Sequence, residues 1–285
     1  MVIDFHTHIL PPSFRDQRRV LRERDATFAG LFKRDNAPVA TAEELVAAMD
    51  KDGVATSVVQ GYGWSDQTIA RESNDYLLEA AVRFPGRLVP FCSVNPVWGD
   101  DAAIEVERCV AHGARGIGEL HPTTQGLDLA NEPYLDPVMT LAQQHGLPVV
   151  VHGSEPVGHT YDGKGDVTPD KLLSFINRYP GATIVCAHWG GGLLFYELMP
   201  EVRKALVNVY FDTAATSFLY RRQVFPTAIQ AAGAEKLLFG SDYPLLSARR
   251  VVNEAKAALQ EAGLDDSLQQ AILHDNAARL LMIGA

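Results

Sequence analysis

The fold class this chain predicts is a (β/α)8 barrel with its chemistry at the C-terminal ends of the strands, and three observations lead there. Short β-branched runs alternate with amphipathic stretches from one end of the sequence to the other, and there are eight such runs. Strand, helix, strand without interruption requires parallel pairing. The length of 285 residues fits one closed barrel, which takes about 250 residues as a single domain. Several runs end in His, Glu or Asp, and strand ends are where a parallel barrel assembles its active site.

Strands are expected at 2–6 (VIDFH), 54–60 (VATSVVQ), 88–94 (LVPFCSV), 114–119 (ARGIGE), 147–152 (LPVVVH), 182–188 (ATIVCAH), 207–212 (VNVYFD) and 236–242 (KLLFGSD). Between them, apolar residues recur at helical spacing over 42–52, 69–84, 102–112, 135–145, 170–179, 223–232 and 248–262. Thr41 with Glu44 reads as a capping box, and Thr168 before Pro169 as an N-cap with proline in the first helical position. Gly53, Gly113, Gly146, Gly233 and Gly263 each follow the last turn of a helical pattern, where a left-handed residue is expected. Two connections are long, 13–40 after the first strand and 153–167 after the fifth, and both would lie over the active face. Structureless loops of that length are usually functional or mobile. Residues 264–281 read as one or two extra C-terminal helices on the outside of the barrel.

Composition narrows the function. With 47% apolar and 21% charged residues the chain has ample material for a buried core. Its net charge of -10, without a long basic stripe, argues against a nucleic-acid partner. Three cysteines are too few and too scattered for a disulfide framework or a cysteine-based zinc site. The N-terminus lacks the basic and apolar regions of a signal peptide, and no apolar stretch approaches the roughly 20 residues that span a bilayer. A cytoplasmic enzyme acting on a small molecule, away from membranes, is the expectation.

In a strand, residues two apart share a face, so His6 and His8 can offer both imidazoles to one ion. A lone histidine at a strand end is usually structural. Here His6, His8, His152, His188 and Asp242 end the first, fifth, sixth and eighth strands, and together they are the imidazole and carboxylate set that divalent ions take. Glu119 ends the fourth. A purely structural site is normally closed by four ligands, often cysteines, which this set does not resemble.

The opening IDFHTHILPPS, the single histidines ending strands five and six, AHWGG, FGSDYP and the closing DNAARLL resemble the amidohydrolase superfamily. More narrowly they resemble its amidohydrolase-2 branch of TIM-barrel enzymes. That branch contains hydrolases and also non-oxidative decarboxylases such as aminocarboxymuconate semialdehyde decarboxylase. The resemblance spans the whole chain, and it is specific for the superfamily rather than for a reaction. It implies that His6, His8 and Asp242 hold one metal. In single-metal members His152 joins them and His188 serves as acid or base; in two-metal members His152 and His188 bind the second ion and a strand-four carboxylate or carbamylated lysine bridges the pair, a place Glu119 could take, a salt bridge or a supporting contact being its alternative. A lysine in a KLHP-like sequence is the more usual pattern of that branch, so GELHP departs from it. His121 is expected to be a loop or substrate-contact residue.

The leading functional expectation is hydrolysis of an amide, lactone or ester by a metal-activated water, with zinc as the ion, one or two per chain, and Asp242 as the proton shuttle. The alternative is decarboxylation of a small carboxylic acid, with His188 protonating the carbon that loses carbon dioxide. Arg15, Arg18, Arg19, Arg22 and Arg24 could fork a substrate carboxylate, although a solvated helix is their plainer reading. Glu155, His159, Tyr161 and Lys164 could line a pocket, and Tyr62, Trp64, Asn95 and Trp189 are expected along the cavity wall. A homodimer would suit the fold and the family.

Overall fold

Eight parallel strands close on one another in the computed structural model of the protein, which describes residues 1–129 and 133–283. They are β1 (Ile3–His8), β2 (Thr56–Gln60), β3 (Leu88–Pro90), β4 (Ile117–Leu120), β5 (Val149–Val151), β6 (Ile184–Cys186), β7 (Val209–Asp212) and β8 (Leu237–Leu238). Ladders run β1-β2-β3 and β4 through β8 in chain order. A parallel bridge from Cys92 to Ile117 joins the two sheets. Phe5 N–H donates to Phe239 O at 2.7 Å and His8 N–H to Tyr243 O at 2.8 Å, which closes the barrel. Both faces of each strand are covered, so the strands read as continuous apolar runs rather than alternating ones.

Two register shifts re-aim side chains at the rim. On β1, Asp4 pairs with Ser57 but Thr7 pairs with Val59, so β1 carries one extra residue. Phe5 therefore packs inside the barrel with Val58, Val89, Val150, Val185 and Leu238, and the next residue, His6, also reaches the centre. Asp4 turns out towards Leu45 and Met49 and accepts from Ser241 N at 2.9 Å. Simple alternation would have put Asp4 and His6 on one face. On β4 the pairs are Ile117 with Val149 and Leu120 with Val151, and the shift lets Gly118 and Glu119 both look inward. A side chain at Gly118 (φ 151°) would place its Cβ 2.7 Å from the Val150 Cβ. Bulges of this kind are common at barrel rims, where they redirect functional side chains.

The helices follow the pattern closely. Ala42–Asp52 starts at the Thr41–Glu44 capping box and stops at left-handed Gly53, and Leu135–His145 stops at left-handed Gly146. Thr168 departs from expectation: its hydroxyl donates to Asp170 Oδ1 at 2.5 Å instead of capping the helix Pro169–Arg178. The connection 13–40 is not structureless. It holds three short helices, Ser13–Asp16, Arg18–Arg24 and Ala26–Leu31, whose Phe14, Leu21 and Phe28 bury against Trp64 and Ile69. The C-terminal helices differ too. Ala277 and Leu281 join Ile3, Phe5 and Val89 in the barrel's own cluster, and Asn276 Nδ2 donates to Ala234 O and Leu237 O, both at 2.8 Å. They close the N-terminal end of the barrel instead of lying on its outside, because the small bore there needs apolar filling. Among the described residues no helix is long and apolar enough to cross a membrane.

Candidate metal centre

At the C-terminal end of β1, His6 Nε2 and His8 Nε2 stand 3.0 Å apart. Donors about 2.1 Å from a shared ion lie about 3.0 to 3.4 Å from each other, so this spacing suits one ion. Each ring is oriented through its other nitrogen: His6 Nδ1 lies 2.7 Å from Asp212 Oδ2, and His8 Nδ1 lies 3.1 Å from Gln60 O. Such partners fix which nitrogen faces a metal. Two carboxylates flank the pair. Glu119 Oε2 is 3.7 Å from His6 Nε2 and 3.8 Å from His8 Nε2, and Asp242 Oδ1 is 3.8 Å and 3.5 Å from the same atoms.

Glu119 also faces a second group. Its Oε1 lies 2.9 Å from His152 Nδ1 and 3.4 Å from His188 Nε2. Two triads able to hold an ion therefore share Glu119: His6, His8, Glu119 and Glu119, His152, His188, all buried. Every sequence-predicted ligand arrives at this one place.

The backbone that delivers two of them is unusual. His188 (φ 56°) and Asp242 (φ 66°) adopt the left-handed region that side chains disfavour. Asp212 Oδ1 accepts from His188 N at 2.9 Å and Ala214 N at 3.0 Å, fixing the turn after β6. Strained conformations persist where surrounding contacts over-determine them.

Glu119, Asp212 and Asp242 bring three buried carboxylates together. Burial, the largest influence on His6, favours its neutral form, but Asp212, Glu119 and Asp242 outweigh it and raise His6 to about 9. His188 is likewise raised to about 10 against burial, chiefly through Glu119. Burial works against the charge of Glu119, yet hydrogen bonds from His152 and His188 hold it well below the usual carboxylate range. The pocket thus demands positive charge, which protons supply in part and a divalent cation would supply fully.

Other expectations divide. Tyr62 stacks on His8 with ring centroids 3.9 Å apart and belongs to the wall. Trp64, Asn95 and Trp189 do not: Trp64 lies in the cluster with Phe14 and Phe28, Asn95 Oδ1 caps Val97 N at 3.1 Å, and Trp189 Nε1 donates to Thr216 Oγ1 at 3.0 Å. None of the five arginines of the first connection reaches the centre. Arg15 binds Glu44 and Arg24 Asp66, tying this segment to its neighbours, Arg18 binds Ala37 O and Arg22 Asp35 within the segment, and Arg19 pairs with Glu23 on its own exposed helix.

Sequence reasoning missed Asp212, although it ends the NVYFD strand as the predicted ligands end theirs. His121 is expected in a loop or against substrate. It is buried, stacks on His152 at 4.2 Å and is bonded to Gly163 O at 2.9 Å, and burial lowers it to about 4.

A parallel barrel whose strand ends converge imidazoles and carboxylates on one buried point is the frame of a barrel enzyme with a ligand set for a divalent ion. The chain belongs to the amidohydrolase family described by the Amidohydro_2 model, which matches residues 3–283. Among curated proteins it is similar to the gamma-resorcylate decarboxylase of Polaromonas sp. strain JS666, at 25% identity over 71% of this chain and 76% of that one. The gamma-resorcylate decarboxylase of Rhizobium radiobacter is also 25% identical, over 62% and 65%. In fold it is similar to the 5-carboxyvanillate decarboxylase of Sphingomonas paucimobilis, with a TM-score of 0.79 at 17% identity and 99% of both chains covered. A dihydroxybenzoic acid decarboxylase structure from Polaromonas sp. JS666, with bound manganese and 2-nitroresorcinol, gives a TM-score of 0.69 at 20% identity over 100% and 97%.

These relatives correct the hydrolytic expectation. They are decarboxylases, the reaction that was the alternative. The ligand set specifies where a cation sits and is indifferent to whether a carbonyl is hydrolysed or a carboxylate expelled, so the residues that predicted the centre could not rank the two reactions.

Proposed function

We propose that the protein is a metal-dependent, non-oxidative decarboxylase of a small carboxylic acid. The observation that carries the reading is the decarboxylase activity named for the relatives, joined to buried imidazole and carboxylate groups at the strand ends that could hold an ion. His6, His8, Glu119 and Asp242 are assigned to hold one divalent cation, with manganese to be tried before zinc because manganese is the ion in related structures. When bound, the cation neutralises the carboxylates and draws an anionic substrate to the centre.

The chain's own groups do the rest. Asp212 keeps His6 oriented through Nδ1, and Gln60 O does the same for His8. His188, across Glu119 from the first pair, supplies a proton to the carbon that bears the carboxylate. The carbon–carbon bond then breaks, carbon dioxide leaves, and its electron pair returns to the protonated carbon framework. Glu119 stabilises the imidazolium before transfer. Tyr62, stacked on His8, gives the pocket a flat apolar wall suited to a planar substrate.

The test is carbon dioxide release from 2,6-dihydroxybenzoate and other hydroxybenzoates by manganese-loaded protein. Metal-dependent release of one carbon dioxide per molecule consumed is expected. No release from any of them by metal-replete protein overturns the reading.

A further inference from the structure

Two consecutive carbonyls in the connection after β5 reach histidines of the centre. His121 Nε2 lies 2.9 Å from Gly163 O, and His152 Nε2 lies 3.1 Å from Lys164 O. A carbonyl only accepts, so both Nε2 atoms donate. The two rings stack with centroids 4.2 Å apart, and His152 turns its other nitrogen, Nδ1, to Glu119 Oε1 at 2.9 Å. Contacts therefore run without a gap from the Lys164 carbonyl, through the His152 ring, to the carboxylate that also faces His6 and His8.

The turn that carries these carbonyls is fastened on both sides. The Lys164 ammonium, expected along a pocket, bends back into its own loop and donates to Val157 O at 2.8 Å and His159 O at 3.1 Å. Two of its three donors are thus committed to the loop. Ser154 is buried two residues after His152 and donates its hydroxyl to Lys164 O. On the other side, Asp166 N donates to Thr123 Oγ1 at 3.0 Å, and the Thr123 hydroxyl donates to Asp166 Oδ1 at 2.6 Å. Gly165 (φ 67°) fits so closely there that a Cβ would lie 2.6 Å from Thr123 Oγ1. Asp212 and Gln60 O orient the rings of His6 and His8, and Lys164 O is the corresponding partner on the opposite side of Glu119.

We infer that Lys164 is a positioning residue: its carbonyl sets the ring of His152, and thereby the carboxylate of Glu119, for the cation, while its ammonium locks the turn that holds the carbonyl in place. The inference rests on the proposed seat of the cation at Glu119 and is independent of the reaction carried out there.

Two measurements test this without turnover: manganese affinity by competition with a fluorescent chelator, and hydrogen exchange of the imidazole N–H groups by NMR of protein carrying isotope-labelled histidine. Lys164→Ala, which frees the turn, and Gly165→Ala, which pushes it off Thr123, are each expected to weaken manganese about tenfold or more and to speed exchange of the His152 Nε2 hydrogen. Lys164→Arg, whose guanidinium can donate to the same two carbonyls, is expected to keep both at wild-type values. Faster exchange with unchanged manganese affinity overturns the assignment, because the turn is then structural only. Two variants that change neither quantity overturn it as well. If Lys164→Ala does not fold, Gly165→Ala is read alone. Failure of the cation seat gives a different result: wild-type protein takes up no manganese, while the variants still release the ring hydrogen of His152.

Discussion

Asp212 Oδ2 lies 2.7 Å from His6 Nδ1, while its Oδ1 receives the backbone N–H of His188 at 2.9 Å. One carboxylate at the end of β7 thus orients a ring on β1 and fixes the turn after β6. Asp212→Asn keeps an oxygen for the backbone but turns an N–H towards His6 Nδ1, removing the acceptor that selects the tautomer. Metal affinity should fall about 10- to 100-fold, the usual cost of losing a partner of a ligating histidine. Competition with a chelator measures it, and unchanged affinity would deny Asp212 this role.

Protonation of the centre sets a pH dependence. His6 and His188 are raised from 6.5 to about 9 and about 10 in the metal-free protein, so their protonated forms stabilise the fold. That contribution is complete below pH 6.5 and is lost as pH rises through 9 and 10. The melting temperature of metal-free protein should therefore drop across this window. Manganese-loaded protein should hold its melting temperature there, since a cation takes over from the protons. Parallel melting curves for the two forms would show the divergence; coincident curves would contradict it.

His188 is assigned the proton. Replacing it with Gln should lower kcat by about 10²- to 10⁴-fold, the range for loss of a general acid. Metal content by plasma mass spectrometry should remain near one ion per chain, as the proposed ligands His6, His8, Glu119 and Asp242 are untouched. A variant that loses its metal would move His188 from proton donor to ligand.

The glycines after His188 are a structural requirement. At Gly191 a methyl group would collide with the Ser154 backbone in a left-handed conformation. Gly191→Ala should lower stability by about 1 to 3 kcal/mol, as for other strained backbone positions, and should disturb both His188 and the connection after β5. Thermal melting and kcat report the two effects. A variant with wild-type values for both would mean that the turn relaxes freely.

Alternating strand and helix patterns, the capping box at Thr41 and the histidines at run ends were legible because each is a local pattern read over a few neighbours. From those patterns the sequence by itself determined the parallel barrel and the long helices between its strands, while the short helices Ser13–Asp16, Arg18–Arg24 and Ala26–Leu31 escaped it. It also brought His6, His8, Glu119, His152, His188 and Asp242 to candidacy as one group. Local pattern could not reach the bulges that turn His6 and Glu119 inward, because register depends on the partner strand. Nor could it show that Asp212 serves His6, 206 residues away, that Arg15 and Arg24 tie the first connection to its neighbours, or that the C-terminal helices fill the barrel's lower end. Those were decided only in the tertiary structure, where residues remote in sequence compete for the same buried donors, charges and space.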